Sequence, residues 1–127
     1  MQIMKQVQTS QAPHPIGPYS QGIVEGGFVF TSGMIALDPA TSKLVPGGIK
    51  EQTRRVLDNV KAVLDQAGSS MEKVTKTTVY LKDPGLFKEM NEVYMIYFNN
   101  HKPARSTIVC NFMLPDVLLE IDAVAKA

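Results

Sequence analysis

At 127 residues, with 44% apolar and 20% charged residues, the sequence has the size and composition of one globular domain spanning 1–127, without a fibrous repeat or a disordered arm. Its 13 Lys and Arg against 12 Asp and Glu leave a formal net charge of +1 and no basic run suited to nucleic acid, so no nucleic-acid partner is expected. No apolar stretch approaches the roughly 20 residues of a membrane span, residues 1–8 lack the apolar core of a secretory signal, and the lone Cys110 forms no internal disulfide, so the expected address is the cytosol.

In chain order, residues 3–7 read as a strand, and residues 12–18 form a proline-rich loop. Residues 20–25 and 28–32 are strands joined through Gly26-Gly27, a pair that marks a tight hairpin. Residues 34–37 continue extended until Asp38-Pro39 turns the chain, and Pro46-Gly47-Gly48 closes the strand region. From Ile49, apolar or small side chains recur at Thr53, Val56, Leu57, Val60, Val63, Leu64 and Ala67, a helical stripe that Gly68 stops. Residues 74–81 are β-branched and aromatic and predict a strand; after Asp83-Pro84-Gly85, a second helical stripe runs through Leu86, Met90, Val93, Tyr94 and Tyr97. Two last strands, 106–111 and 117–126, follow Lys102-Pro103.

This order predicts an α+β fold, a single mixed β-sheet with both amphipathic helices packed on one face. On the last strand Leu119, Ile121, Ala123 and Ala125 share one side, and Leu118, Glu120, Asp122 and Val124 the other. The second side is half polar, as a surface between subunits would be, and Glu120 would sit near that seam.

Two residues invite chemistry. Arg105 follows Pro103-Ala104 at the mouth of a strand, where a guanidinium can grip a carboxylate through paired hydrogen bonds; a surface arginine is the plain alternative. Glu120 lies in the apolar run from Val117 to Ile121, where a carboxylate is costly unless paired, so it is either functional or half of a structural salt bridge. His14, His101 and Cys110 show none of the paired spacings of a zinc site, and no metal is expected.

Six ordered motifs narrow the reading: Ile16-Gly17-Pro18-Tyr19-Ser20-Gln21, Thr31-Ser32-Gly33-Met34-Ile35, Asp58-Asn59-Val60, Lys76-Thr77-Thr78-Val79-Tyr80-Leu81, Pro103-Ala104-Arg105-Ser106 and Leu119-Glu120-Ile121. Over nearly its whole length the sequence resembles the reactive-intermediate deaminase (Rid), or YjgF-like, family. The resemblance implies a chorismate-mutase-like homotrimer with three clefts between subunits. It implies hydrolysis of reactive 2-imino or 2-enamino acids, of the 2-iminobutanoate and 2-iminopropanoate type, to 2-keto acids and ammonia, without a cofactor.

Carried over by motif, Arg105 would clamp the substrate carboxylate and Glu120 would position a water. Tyr19, Ser32, Gly33, Asn91 and the backbone around Thr107 would complete the cleft. Tyr19 could instead pack its ring and bond backbone, Ser32 and Gly33 could form a strand bend, and Asn91 could brace the second helix. Many relatives carry a cysteine two residues after the arginine; here Thr107 stands there, and Cys110, of opposite strand parity, reads as a small buried hydrophobe. The segment Asn111-Phe112-Met113-Leu114 is more apolar and less basic than is usual in the family. Two other readings share the motifs: a 2-keto-acid-binding regulatory module without turnover, and a ribonuclease or translation inhibitor.

Overall fold

The computed structural model describes residues 4–127, so Ile3 of the first expected strand lies outside the described residues. Strands β1 (Lys5–Val7), β2 (Gly22–Glu25) and β3 (Phe28–Thr31) precede helix α1 (Ile49–Gln66). Strand β4 (Val74–Leu81), helix α2 (Phe87–Tyr97) and strands β5 (Ala104–Val109) and β6 (Leu119–Lys126) follow. The strands form one mixed sheet in the order β1-β2-β3-β6-β4-β5. Only β4 and β5 are parallel, with α2 as their crossover, and the long β6 runs antiparallel between β3 and β4. Both helices lie on one face.

Local chemistry explains the joints. Gly26 and Gly27 have φ of 60° and 83°, the left-handed pair that a two-residue hairpin needs where Glu25 meets Phe28. Helix α1 begins where the Glu51 carboxylate accepts from the Gly48 N–H at 2.8 Å, one half of a capping box. It ends in a Schellman closure, with Gly68 N–H on Asp65 O at 3.0 Å and Ser69 N–H on Leu64 O at 2.9 Å.

The α1 stripe Val56, Leu57, Val60, Val63 and Leu64 is fully buried, against Leu119, Ile121, Ala123 and Ala125 of β6 and Met90, Tyr94 and Phe98 at α2. Each such aliphatic side chain contributes on the order of 1.5–3 kcal/mol relative to an exposed one. Among the described residues, none covers the opposite face of the sheet. It carries Phe28, Phe30 and Ile108, which are 41%, 44% and 46% exposed, beside half-buried Tyr80, Glu120, Asp122 and Val124.

Three expectations are corrected. Residues 34–37 do not continue a strand: Met34 and Leu37 make only isolated bridges, to Ile121 and Leu44, because the Asn59 side chain takes the carbonyls of Ile35 and Leu37. Strand β6 starts at Leu119 rather than at residue 117, because the Gln52 amide caps that stretch, accepting from Leu118 N–H and donating to Asp116 O, each at 2.9 Å. Cys110 is not a buried hydrophobe. It sits half-buried just beyond β5, an edge strand, with its N–H on Leu81 O at 2.9 Å.

Candidate active site

The residues singled out from sequence fall into two groups, held on opposite faces of the sheet. Arg105 pairs in register with Thr77, which is buried beneath α2. Glu120 pairs with Tyr80, three residues along β4 and therefore on the other side.

The first group surrounds Glu120. Tyr19, Gly33 and Glu120 share a cleft of about 100 Å³ with Pro13, His14, Ile16 and Gln21. The loop that carries Tyr19 is pinned by the buried Gln21 amide, which donates to Ala12 O and Pro13 O at 3.2 and 2.8 Å and accepts from Thr9 N–H at 2.8 Å. Tyr19 is 47% exposed, and its hydroxyl accepts from Ile16 N–H at 3.3 Å, so the phenol is tethered yet presented to the cleft. The Ser32 hydroxyl donates to Ser20 O at 2.5 Å, which fixes that bend and leaves an oxygen lone pair free.

Gly33 is where the chain touches the carboxylate. A Cβ at this position would lie 2.7 Å from Glu120 Cδ, so any other residue here would displace the carboxylate from its observed position. Among the described residues Glu120 has no ion-pair partner; the pairs present are Lys50–Glu92, Arg54–Glu51 and Lys61–Asp65. A structural salt bridge among the described residues does not account for it. Burial, and then the negative charge of Asp122, push its carboxyl above the ordinary value. Asp122 itself accepts from the Tyr80 hydroxyl at 3.1 Å.

The second group surrounds Arg105. One guanidinium nitrogen donates to Asn91 Oδ1 at 2.8 Å, and the guanidinium carbon lies 4.8 Å from the Tyr94 ring centre and 5.6 Å from that of Phe87. Asn91, Tyr94 and Arg105 open onto a cavity of about 350 Å³, with Met95, Phe98, Lys102 and Pro103. One guanidinium edge is thus committed, leaving further N–H donors for a ligand. Thr107, two residues on, lies on the same side, half-buried.

Sequence reasoning read Tyr94 as helix packing only and passed over Phe87. The signal was present: Phe87, Asn91 and Tyr94 stand at i, i+4 and i+7 on one helix face. Other motif residues are scaffold. Buried Asn59 donates to Ile35 O and Leu37 O at 3.1 and 3.0 Å, suspending the segment behind Gly33, and Asp58 accepts from the Tyr97 hydroxyl at 2.7 Å. No cluster of three His, Cys, Asp or Glu side chains that could hold a metal occurs among the described residues, and no described helix is long and apolar enough to cross a membrane.

Known proteins share the sequence and the fold of this chain. A family model described as Endoribonuclease L-PSP matches residues 9–127. RutC family proteins of Pyrococcus abyssi and Pyrococcus horikoshii are 52% and 53% identical over 117 residues, covering 92% of this chain and 92% and 93% of theirs. The crystal structure of the E. coli YjgF gene product superposes with a TM-score of 0.90 at 39% identity over 96% of this chain and 98% of that one. E. coli TdcF, with bound serine, gives 0.91 at 40% identity over 97% and 98%, and the Rid family protein YyfA of Yersinia pestis gives 0.94 at 38% over 98% and 100%. A family match across nearly the whole chain and a shared fold place this chain in the family of the Rid, or YjgF-like, proteins.

Proposed function

We propose that this chain is an imine and enamine deaminase that hydrolyses reactive 2-imino acids to 2-keto acids and ammonia, working as a homotrimer whose sites lie between subunits. The observation that carries the reading is the separation of its two halves: an arginine with free donors on one sheet face, and a partnerless carboxylate in a cleft on the other. One chain cannot close them on a small molecule, but two copies can. The uncovered face with Phe28, Phe30 and Ile108 supports such an assembly.

In the proposed site, Arg105 of one subunit binds the substrate carboxylate in two hydrogen bonds, while Glu120 of its neighbour faces the C2 carbon through a water. The protonated C=N carbon is already electrophilic, so positioning supplies much of the acceleration. Water oxygen bonds to C2, its proton passes to Glu120, and the C=N electron pair moves onto nitrogen. Glu120 then returns the proton to the amine of the carbinolamine. The C–N bond breaks and releases ammonia; Glu120, again a carboxylate, takes the hydroxyl proton as the keto group forms, and that proton leaves with ammonia as ammonium. Tyr19 and the Ser32 hydroxyl orient the substrate.

The deciding experiment generates 2-aminoacrylate with a dehydratase and follows pyruvate formation. Deamination above the spontaneous rate supports the proposal; an unchanged rate with saturable 2-keto-acid binding establishes a binding module instead. That second reading is favoured by one observation, the serine held by the related TdcF, an amino acid whose carboxylate an arginine would suit. Because the family model is described as an endoribonuclease, the same preparation is assayed on RNA; RNA cleavage with no deamination would replace the deaminase reading.

A further inference from the structure

We infer that Phe87 and Tyr94 form an aromatic cradle that positions Arg105, and that Thr77 holds the cradle in place, so the arginine clamp of the proposed site is a unit of five side chains. The inference rests on that functional reading and adds positioning residues to it. Arg105 lies on an edge strand with its side chain half-buried, where a long cation would ordinarily sample many rotamers. Here three groups restrict it.

Asn91 Oδ1 accepts one N–H and sets the in-plane rotation of the guanidinium. The rings of Tyr94 and Phe87, centred 4.8 and 5.6 Å from the guanidinium carbon, attract the cation from their π-faces. Tyr94 is itself fixed. Its hydroxyl and that of Thr77 bond at 2.7 Å in the core, and its ring packs on Phe98 with centres 4.6 Å apart. Burial pushes the Tyr94 hydroxyl above its ordinary pKa, so at neutral pH it remains an uncharged partner for Thr77.

The geometry has a directional consequence. Thr77 stands opposite Arg105 in the β4–β5 register, so the strand residue that fixes the ring is the neighbour of the strand residue the ring restrains. The chain closes a loop from β4 through α2 to β5. Such a loop holds the guanidinium in its ligand-binding orientation before a carboxylate arrives, which lowers the ordering cost of binding.

Carboxylate binding is shared by ground and transition states, so loosening the clamp should raise KM more than it lowers kcat. The test measures 2-oxobutanoate affinity by calorimetry, and KM and kcat for imine hydrolysis, on Tyr94→Leu, Tyr94→Phe, Phe87→Leu and Arg105→Ala. Tyr94→Leu should weaken 2-oxobutanoate binding about tenfold, the scale of a partly desolvated cation–π contact. Tyr94→Phe keeps the ring but loses the hydroxyl through which Thr77 holds it, so it should weaken binding less than Tyr94→Leu, by about threefold; binding equal to wild type would remove Thr77 from the cradle. Phe87 is exposed, so Phe87→Leu tests the cradle even where Tyr94→Leu misfolds; it should weaken binding about threefold. In an Arg105→Ala background Phe87→Leu should have no further effect.

If Arg105→Ala loses binding while Phe87→Leu, and Tyr94→Leu where it folds, bind as wild type does, the cradle has no positioning role and the inference fails. An equal loss from Phe87→Leu with and without Arg105 would show an effect independent of the guanidinium and also overturn it. If Arg105→Ala itself binds normally, the failure belongs to the arginine clamp of the proposed function.

Discussion

Glu120 is the residue on which the proposed chemistry turns, and its surroundings make testable demands. Burial and Asp122 raise its pKa, so the folded chain holds this proton more tightly than the unfolded one. Stability associated with Glu120 is therefore present in acid and falls as pH rises from the ordinary carboxylate value through the higher folded value. Glu120→Gln should consequently raise Tm at pH 7, with the gain vanishing by about pH 4. A lower Tm for the variant at pH 7 would mean that Glu120 is ion-paired in the assembly and would move it from catalysis to architecture. The same variant should cut imine hydrolysis by roughly 10²–10⁴-fold, the usual contribution of a general base, while 2-keto-acid binding through Arg105 persists. Gly33 offers an independent check. Gly33→Ala drives a methyl group into the carboxylate, so the chain should fold, keep its 2-keto-acid binding through Arg105 and lose at least about tenfold in turnover, comparable with a displaced catalytic group. Wild-type turnover in Gly33→Ala would show that the Glu120 position tolerates displacement and that its carboxylate is not aimed at a reacting atom.

At the scale of elements, what was legible in the sequence is what local physics encodes. The helical period of α1, the Gly26-Gly27 hairpin and the β-branched run of β4 appear where the pattern puts them, because each depends on neighbours a few residues away. Residues 34–37 and 117–118 failed as strands because side chains from α1, Asn59 and Gln52, take their backbone groups, and such partners far along the chain leave no periodic trace. The placement of Arg105 and Glu120 on opposite faces was illegible for a related reason. Parity within β6 was readable, but the face of Arg105 depends on the register of β5 against β4, set through α2. Tyr94 was read correctly as packing and incompletely as a neighbour of Arg105, because a helical stripe shows that a ring is buried without showing what lies over it. Asn59 is the element-scale test. Asn59→Ala leaves the carbonyls of Ile35 and Leu37 without their donor, at a cost of about 2–3 kcal/mol, or roughly 7–11 °C in Tm for a chain of this size. Turnover should fall even well below that Tm, since the segment behind Gly33 loses its suspension. Full turnover and an unchanged Tm would show that the two bonds are not needed to hold the cleft.

The whole molecule supplies the most discriminating test, because the halves of the proposed site lie on opposite faces of one sheet. If each site takes Arg105 from one subunit and Glu120 from the next, Arg105→Ala and Glu120→Gln damage different halves of the same cleft. Each variant alone should be inactive in every site. Co-expressed chains behave differently: a site with Arg105 from a Glu120→Gln subunit and Glu120 from an Arg105→Ala subunit is intact. In a closed ring assembled at random from equal amounts, that order arises at about one site in four. The co-assembled protein should therefore recover about a quarter of wild-type kcat, with a wild-type KM because the intact sites are unaltered. The double variant Arg105→Ala/Glu120→Gln, co-expressed with wild type, controls for partial occupancy, since its chains spoil both clefts they enter. Light scattering on the same samples should give three chains per particle. Separately purified variants, mixed without subunit exchange, should remain inactive. No recovery in verified mixed trimers would mean that Arg105 and Glu120 act within one chain or not together, and recovery in a monomeric preparation would remove the interface from the mechanism.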